Sequence, residues 1–209
     1  SLNPVPLLSY SIRFHGADGG VMVTASHNPP EYNGFKVFNS HGSLVITPQD
    51  QTIIDFYNDL LSPEEINWKD FDQALNENLI KWVGEDVEKA YHKDILKASI
   101  QPELCQKKGK NLNVVYTPIH GSGLRPCLKA LENLGFTQFH VVKQQAEPDG
   151  DFPTVSSPNP ENPEAMNLAC ELMKEKKADL CMGSDPDGDR RKKMQKVNSP
   201  LRVTLLRAL

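Results

Sequence analysis

The 209-residue sequence lacks the long apolar runs, basic patches and paired cysteines that mark several classes of protein. No run approaches the ~18 apolar residues of a membrane-spanning helix, so we expect no membrane association. A formal net charge of -4, without basic segments interleaved with aromatic residues, argues against a nucleic-acid partner. The four cysteines form no Cys-x-x-Cys pair, which favours reduced thiols in a cytoplasmic protein over a disulfide framework or a zinc site.

The apolar residues that are present recur with the spacing of alternating strands and helices. Short apolar runs at 113–116, 139–142 and 178–183 predict strands, and the segments between them show helical periodicity. Strands that alternate with helices predict an α/β fold with a mainly parallel sheet.

Before residue 85 the pattern is less regular. Residues 20–23 predict a strand, and residues 34–38 with 43–46 predict a β-hairpin. A helix should follow, capped by Thr47, with one apolar face formed by Ile53, Ile54, Tyr57, Leu60 and Leu61.

An acidic segment, Asp185-Pro186-Asp187-Gly188-Asp189-Arg190, follows the last predicted strand; we call residues 185–190 the acidic loop. Three carboxylates so close together repel one another unless a cation or solvent compensates them, and hard oxygen ligands suit Mg²⁺. An EF-hand is excluded, because its sixth and twelfth positions would be Arg190 and Lys196 rather than glycine and glutamate. A haloacid-dehalogenase-type Asp-x-Asp-x-Thr motif fits until Asp189, and a plain acidic surface turn is the simpler alternative.

A second unusual loop follows the first predicted strand and contains Ser26, His27, Asn28, Pro29 and Pro30. We call residues 24–30 the serine loop. It could be an ordinary turn closed by prolines. Phosphoryl transfer, however, needs an acceptor oxygen, a divalent cation and further positive charge. Ser26, the acidic loop, Lys36 and Arg190 would together supply that set.

Several segments carry a resemblance to one family. "TASHNPPEYNGFKV" (24–37) closely resembles the phosphoserine loop of the α-D-phosphohexomutases, which include phosphoglucomutase and phosphomannomutase, and "DPDGDR" (185–190) resembles their magnesium loop. "YTPIHGSG" (116–123) and "EPDGDFPTVSSPNPENPEA" (147–165) resemble the second domain of the bacterial phosphoglucomutase and phosphopentomutase-like branch. The resemblance covers roughly residues 4 to 190.

The resemblance implies specific roles. Ser26 matches the serine that carries the catalytic phosphate, and its phosphate oxygen would complete a Mg²⁺ site formed by Asp185, Asp187 and Asp189. The catalytic set it implies also includes His27, which lies beside the nucleophile, Lys36, which assists proton transfer, and Arg190, which ends the metal loop. The implied reaction interconverts a sugar 1-phosphate and 6-phosphate, with glucose the favoured sugar, through a 1,6-bisphosphate. Glucose 1,6-bisphosphate would be the activator. His120 is expected to be a structural residue at a helix start.

The same resemblance predicts an incomplete enzyme. Two mixed, mainly parallel α/β domains are expected, an incomplete first domain at 1–85 and a second at 86–190, followed by a basic, unpatterned tail at 191–209. The sequence starts with Ser1, without signal-peptide features, and we expect a truncated chain that is inactive alone. The alternative from another class is a non-catalytic fragment that binds Mg²⁺ or a partner.

Overall fold

A computed structural model describes residues 2–195. Its first part contains three helices and one two-stranded antiparallel ribbon, with element bounds α1 Val5–His15, β1 Gly19–Val23, β2 Phe35–Asn39, α2 Gln49–Asp59 and α3 Phe71–Asn76. Strand β1 pairs with β2 so that Met22 lies opposite Lys36 and Val23 opposite Phe35. The serine loop is therefore the connection between the two strands of this ribbon.

The predicted hairpin between residues 34–38 and 43–46 is present in a shortened form. Strand β2 pairs with β1, and the later segment contributes a single bridge, Phe38 to Leu44. Backbone hydrogen bonds from Asn39 N to Ser43 O (2.9 Å) and from Val45 N to Val37 O (2.8 Å) form a turn. The pairing stops there, because the chain leaves the ribbon to begin α2 at Gln49.

The predicted details of α2 also differ from the structure. Its N-cap is Pro48, and the Thr47 hydroxyl donates to the Asp50 side chain (3.2 Å) instead of capping the backbone. None of its residues is buried, so the expected apolar face of Ile53, Ile54 and Tyr57 is exposed. Apolar periodicity identified the helix but could not show whether another element covers that face.

The second part of the chain is an α/β unit built on a four-stranded sheet. Its elements are α4 Glu85–Ala98, α5 Pro102–Lys108, β3 Asn113–Thr117, α6 Leu124–Asn133, β4 Gln138–Val141, α7 Asn167–Glu175, β5 Leu180–Ser184 and β6 Arg191–Gln195. Short 3₁₀ turns span Gly109–Asn111, Lys143–Gln145 and Pro163–Met166 in this part, and Pro63–Glu65 in the first part. The strand order is β4-β3-β5-β6, and the first three strands are parallel. The three predicted strands and the α/β class are confirmed.

Two apolar clusters cover the two faces of this sheet. Adjacent residues of β3, Val114 and Val115, are fully buried and belong to different clusters, because successive side chains of a strand point to opposite faces. The first cluster adds Cys105, Leu112, Leu131, Leu134, Phe136 and Leu180. The second adds Ile119, Val142, Ala165, Met166, Ala169, Ala178 and Cys181. Helices on both faces of a sheet are the arrangement expected for an α/β domain.

The beginning of the predicted tail forms a strand. Residues Arg191–Gln195 form β6, which pairs antiparallel with β5. In this pairing Arg191 lies opposite Ser184 and Gln195 lies opposite Leu180. The lysines in this segment suggested an unpatterned tail, but an edge strand tolerates charged side chains because only its backbone has to pair. The rest of the predicted tail, 196–209, lies outside the described residues. Within residues 2–195, no helix has the length and apolar character needed to cross a membrane.

Candidate active site

The acidic loop follows β5 and brings its three carboxylates together. Asp185 is fully buried, Asp187 is 4% exposed, and Asp189 faces solvent. One potential ligand oxygen from each aspartate lies within 4.8 Å of the other two. Gly188 has φ +71°, a left-handed conformation that glycine adopts without steric cost, and this turn folds the loop back.

Backbone groups hold the acidic loop in this shape. The Arg190 N–H donates to Asp185 Oδ1 (2.8 Å) and the Asp185 N–H donates to Arg190 O (3.2 Å). From the first part of the chain, the Val5 N–H donates to Asp187 O (2.8 Å). The loop is thus fixed both by its own closure and by the start of α1.

The serine loop faces the acidic loop, and its backbone is strained at Ser26. Ser26 has φ +55°, which is uncommon for a residue other than glycine. Its N–H donates to Thr24 Oγ1 (2.9 Å), and the Thr24 hydroxyl lies 3.3 Å from Asp187 Oδ2, to which it donates. Thr24 N also donates to Gly34 O (3.0 Å). Thr24 therefore links the strained serine to both the ribbon and the acidic loop.

Ser26 Oγ lies at the centre of the site. It is 3.2 Å from Asp185 Oδ2, 3.2 Å from Asp187 Oδ1 and 3.2 Å from His27 Nδ1. A hydroxyl has one proton and two lone pairs, so it donates to one carboxylate at a time while its oxygen stays beside the others. This arrangement gives the serine a hydroxyl in direct contact with acidic groups and an imidazole.

Lys36 approaches the same carboxylates from strand β2. Its Nζ is 2.8 Å from Asp187 Oδ2 and 3.0 Å from Asp189 Oδ2. Burial works to lower the pKa of Lys36, but hydrogen bonds to the two aspartates outweigh burial and hold that pKa above its usual value. The amine is therefore a cation at neutral pH.

Asp185 shows the strongest electrostatic perturbation of the site. Burial raises its pKa to about 7, the hydrogen bond from the Arg190 N–H opposes the rise, and the negative charges of Asp187 and Asp189 add to it. A carboxylate that is costly to ionise alone gains most from a neighbouring cation.

The ligand chemistry of this site fits a hard divalent cation. Three carboxylates and the Ser26 hydroxyl offer oxygen atoms only, from two loops that already lie in contact. Oxygen ligands of this kind suit Mg²⁺, which retains water or phosphate at its other positions. These residues would hold the ion without any rearrangement of secondary structure.

The structure thus brings together Ser26, His27, Lys36 and the three aspartates, all of which the sequence had singled out. Arg190 closes the acidic loop through its backbone, and its side chain is exposed. Thr24 was missed, although it begins the "TASHNPP" segment, because a threonine gives no sequence signal for a contact 163 residues away. His120 is buried, but it does not lie at a helix start, because α6 begins only at Leu124.

Comparison with protein families places the fold and the site in one group. Residues 89–195 match the family "Phosphoglucomutase/phosphomannomutase, alpha/beta/alpha domain II", and residues 1–63 match the corresponding domain I. The chain belongs to the phosphoglucomutase/phosphomannomutase family. Membership favours the phosphohexomutase interpretation over the haloacid-dehalogenase alternative.

Individual relatives agree with this assignment. The chain is 38% identical over 190 residues to a "Probable phosphomannomutase" of Haemophilus influenzae, covering 90% of this chain and 37% of that protein. It is 37% identical over 185 residues to a "Phosphoglucomutase" of Staphylococcus epidermidis, covering 88% and 33%. The chain therefore spans about a third of the length of these relatives.

A solved phosphoglucomutase/phosphomannomutase family protein from Burkholderia thailandensis has the same fold. It superposes with a TM-score of 0.63 at 21% identity, over 94% of this chain and 39% of that one. At this identity the similarity supports the fold alone.

Proposed function

We propose that Ser26 is the phosphoryl carrier of a phosphohexomutase that interconverts a sugar 1-phosphate and a sugar 6-phosphate. The observation that carries this proposal is the position of Ser26 Oγ, 3.2 Å from carboxylate oxygens of both Asp185 and Asp187. Carboxylates this close to the hydroxyl would repel a phosphate on it unless a cation lies among them.

The proposed reaction has two transfers in opposite directions. First, the bond between phosphorus and Ser26 Oγ breaks, a bond forms between phosphorus and a sugar hydroxyl oxygen, and the proton of that hydroxyl passes to Ser26 Oγ through the acid–base groups of the site. The product is a sugar 1,6-bisphosphate, which turns around in the site. Its other phosphate then returns to Ser26 Oγ, and the serine hydroxyl proton passes to the released sugar oxygen through the acid–base groups of the site.

The proton positions follow from two neighbours of the serine. Lys36 is held protonated by the two aspartates, so it fits the role of proton donor to the leaving oxygen. The imidazole of His27, with Nδ1 at 3.2 Å from Ser26 Oγ, can exchange the hydroxyl proton. Mg²⁺ bound by Asp185, Asp187 and Asp189 would supply positive charge to the phosphoryl oxygens. Arg190 would add positive charge from the exposed end of the acidic loop.

The substrate class we propose is a hexose phosphate, with glucose favoured and glucose 1,6-bisphosphate as activator. We place the reaction in the cytoplasm, where cysteines such as the four free thiols of this chain stay reduced. By itself the 209-residue chain should not turn over sugar phosphates. Repeated turnover depends on holding the sugar in place while it turns around, whereas a single slow transfer of phosphate to Ser26 needs only the serine, a bound cation and the neighbouring acid–base groups.

The test is transfer of labelled phosphate from glucose 1,6-bisphosphate to the purified chain in the presence of Mg²⁺. We expect the parent chain to accept label on Ser26 and Ser26→Ala to accept none. Ser40→Ala is the matched control, since Ser40 is an exposed turn residue of the same ribbon, and it should accept label normally. Equal labelling of the parent and Ser26→Ala, or no labelling of the parent, would support the non-catalytic alternative.

A further inference from the structure

Residues 117–123, from the last residue of β3 to the residue before α6, pack against the backbone of the acidic loop. We call this segment the support loop. Ser122 donates to Pro186 O twice, from its N–H (2.8 Å) and from its hydroxyl (2.9 Å). Pro186 separates Asp185 from Asp187, so the support loop contacts the one residue that lies between two of the carboxylates around Ser26.

Two glycines of the support loop allow this close approach. A Cβ added at Gly121 would lie 2.3 Å from Pro186 Cα and 2.5 Å from Pro186 O. A Cβ added at Gly123 would lie 2.6 Å from the hydroxyl of Ser184, the residue before Asp185. Because backbone atoms cannot rotate out of the way as a side chain can, even an alanine at Gly121 must displace the acidic loop or the support loop.

Buried hydrogen bonds hold the support loop in a strained conformation. Ile119 and His120 both have left-handed backbones, with φ +47° and +58°, and such residues persist only where their surroundings fix them. The His120 N–H donates to Gln145 O (2.9 Å), and its Nε2 lies 2.9 Å from Thr154 Oγ1. Gln145, itself fully buried, also accepts at Oε1 from Thr117 Oγ1 (2.6 Å).

We propose that the support loop, held by His120, is a positioning element that sets where Asp185 and Asp187 present their carboxylates, and thereby sets the affinity of the site for Mg²⁺. This proposal rests on the proposed function, because it assigns the same carboxylates to the cation. The residues of the support loop are positioning residues, because they contact the backbone of the acidic loop and supply none of its carboxylates.

The chemistry of magnesium makes this dependence strong. Mg²⁺ demands near-ideal octahedral geometry and tolerates little displacement of its ligands. Groups that orient metal ligands commonly change metal affinity by about 10- to 100-fold when they are altered. A shift of Pro186 would move Asp185 and Asp187 relative to Ser26.

Titration of Mg²⁺ by calorimetry into the full chain tests the proposal. Gly121→Ala should weaken Mg²⁺ binding by about 10-fold or more, and Ser122→Ala, which removes one of the two hydrogen bonds to Pro186, by less. Gly150→Ala is the matched control: no atom lies within 4 Å of its added Cβ, and its Mg²⁺ affinity should equal that of the parent. Urea unfolding of each variant separates loss of affinity from loss of folding.

The parent chain and Asp187→Asn are measured alongside, so that failure of the positioning proposal can be told apart from failure of the proposed function. If the parent binds Mg²⁺ and Asp187→Asn does not, while Gly121→Ala and Ser122→Ala bind like the parent, the positioning proposal is overturned and the proposed function stands. If the parent itself binds no Mg²⁺, both fail. Should Gly121→Ala not fold, Ser122→Ala decides alone: unchanged affinity overturns the proposal, and weakened affinity with near-parent stability supports it.

Discussion

The two parts of this chain differ sharply in how they bury apolar side chains. Residues 85–195 form two clusters of buried residues on opposite faces of a four-stranded sheet. The first part, residues 2–83, has one small cluster formed by Val5, Ile12 and Phe38, and its helix α2 has no buried residue. The acidic loop thus belongs to a well-packed unit, whereas the serine loop connects the two strands of a ribbon that packs against α1 through a small cluster.

This difference indicates how the site is assembled. The acidic loop is closed by its own backbone bonds and supported by β5 and the support loop, and the first part adds one backbone hydrogen bond, from Val5 to Asp187. The serine loop reaches its position through contacts with that loop, from Thr24 and Lys36 to Asp187. We therefore expect the metal ligands to be organised by the second part, and Ser26 to depend on the contact between the parts.

The largest effect should come from the packed part. Leu180, a residue of β5, is 2% exposed and belongs to the first apolar cluster. Leu180→Ala should lower the free energy of unfolding by about 2–5 kcal/mol. Leu61→Ala is the control in the first part, where Leu61 is 90% exposed; it should change stability by about 0.5 kcal/mol or less. Urea unfolding followed by circular dichroism measures both, and similar losses would contradict the comparison.

Asp185 should make the stability of the metal-free chain depend on pH. Its pKa of about 7 lies above the value of an unfolded aspartate, so between about pH 4 and 7 the folded chain binds more protons than the unfolded chain. Stability should therefore fall as pH rises through this window, by about 1 kcal/mol for each pH unit. Unfolding in EDTA at pH 5 and pH 7 measures the slope.

Asp185→Asn provides the control for this slope. The variant cannot ionise at this position, so its stability between pH 5 and pH 7 should change less than that of the parent. An equal slope in parent and variant would show that another group causes the pH dependence.

The hydrogen bond between Thr24 and Asp187, which links the two parts, should contribute less to stability than Leu180 does, but measurably. Thr24→Val keeps the shape of the side chain and removes the hydroxyl that accepts from Ser26 N and donates to Asp187. We expect a loss of about 1 kcal/mol in unfolding free energy, together with weaker labelling of Ser26. Thr52→Val on the exposed helix α2 serves as control. Undiminished labelling of Thr24→Val would show that the serine loop holds its position without this link.

The smallest expected effect concerns Lys36. Its amine neutralises Asp187 and Asp189, so Lys36→Met should make the site more negative. Mg²⁺ should then bind the unphosphorylated chain about 3- to 10-fold more tightly, because two unit charges about 4 Å apart in water interact by about 1 kcal/mol. Calorimetry measures the change. Weaker binding in Lys36→Met would mean that the lysine organises the carboxylates instead of competing with the cation.

The same contrast explains what the sequence could predict. The α/β unit was predictable because its buried strands and helices carry strong apolar periodicity, and the site residues were predictable because two short motifs carry them. Apolar periodicity predicted the apolar face of α2 but could not show that Ile53 and Ile54 are exposed. It also missed β6, where backbone pairing with β5 suffices. Thr24 and Ser122 act through hydrogen bonds to residues far away in the sequence, and such bonds leave no trace in local sequence.

The central claim is that Ser26 and the three aspartates form one site that shares one cation. Its most direct test is the Mg²⁺ affinity of the chain with and without phosphate on Ser26, measured by calorimetry at one pH. Phosphate adds about -1.5 to -2 charges and three strong acceptor oxygens, so the phosphorylated chain should bind one Mg²⁺ at least about tenfold more tightly. Equal affinities of the two forms would contradict the claim.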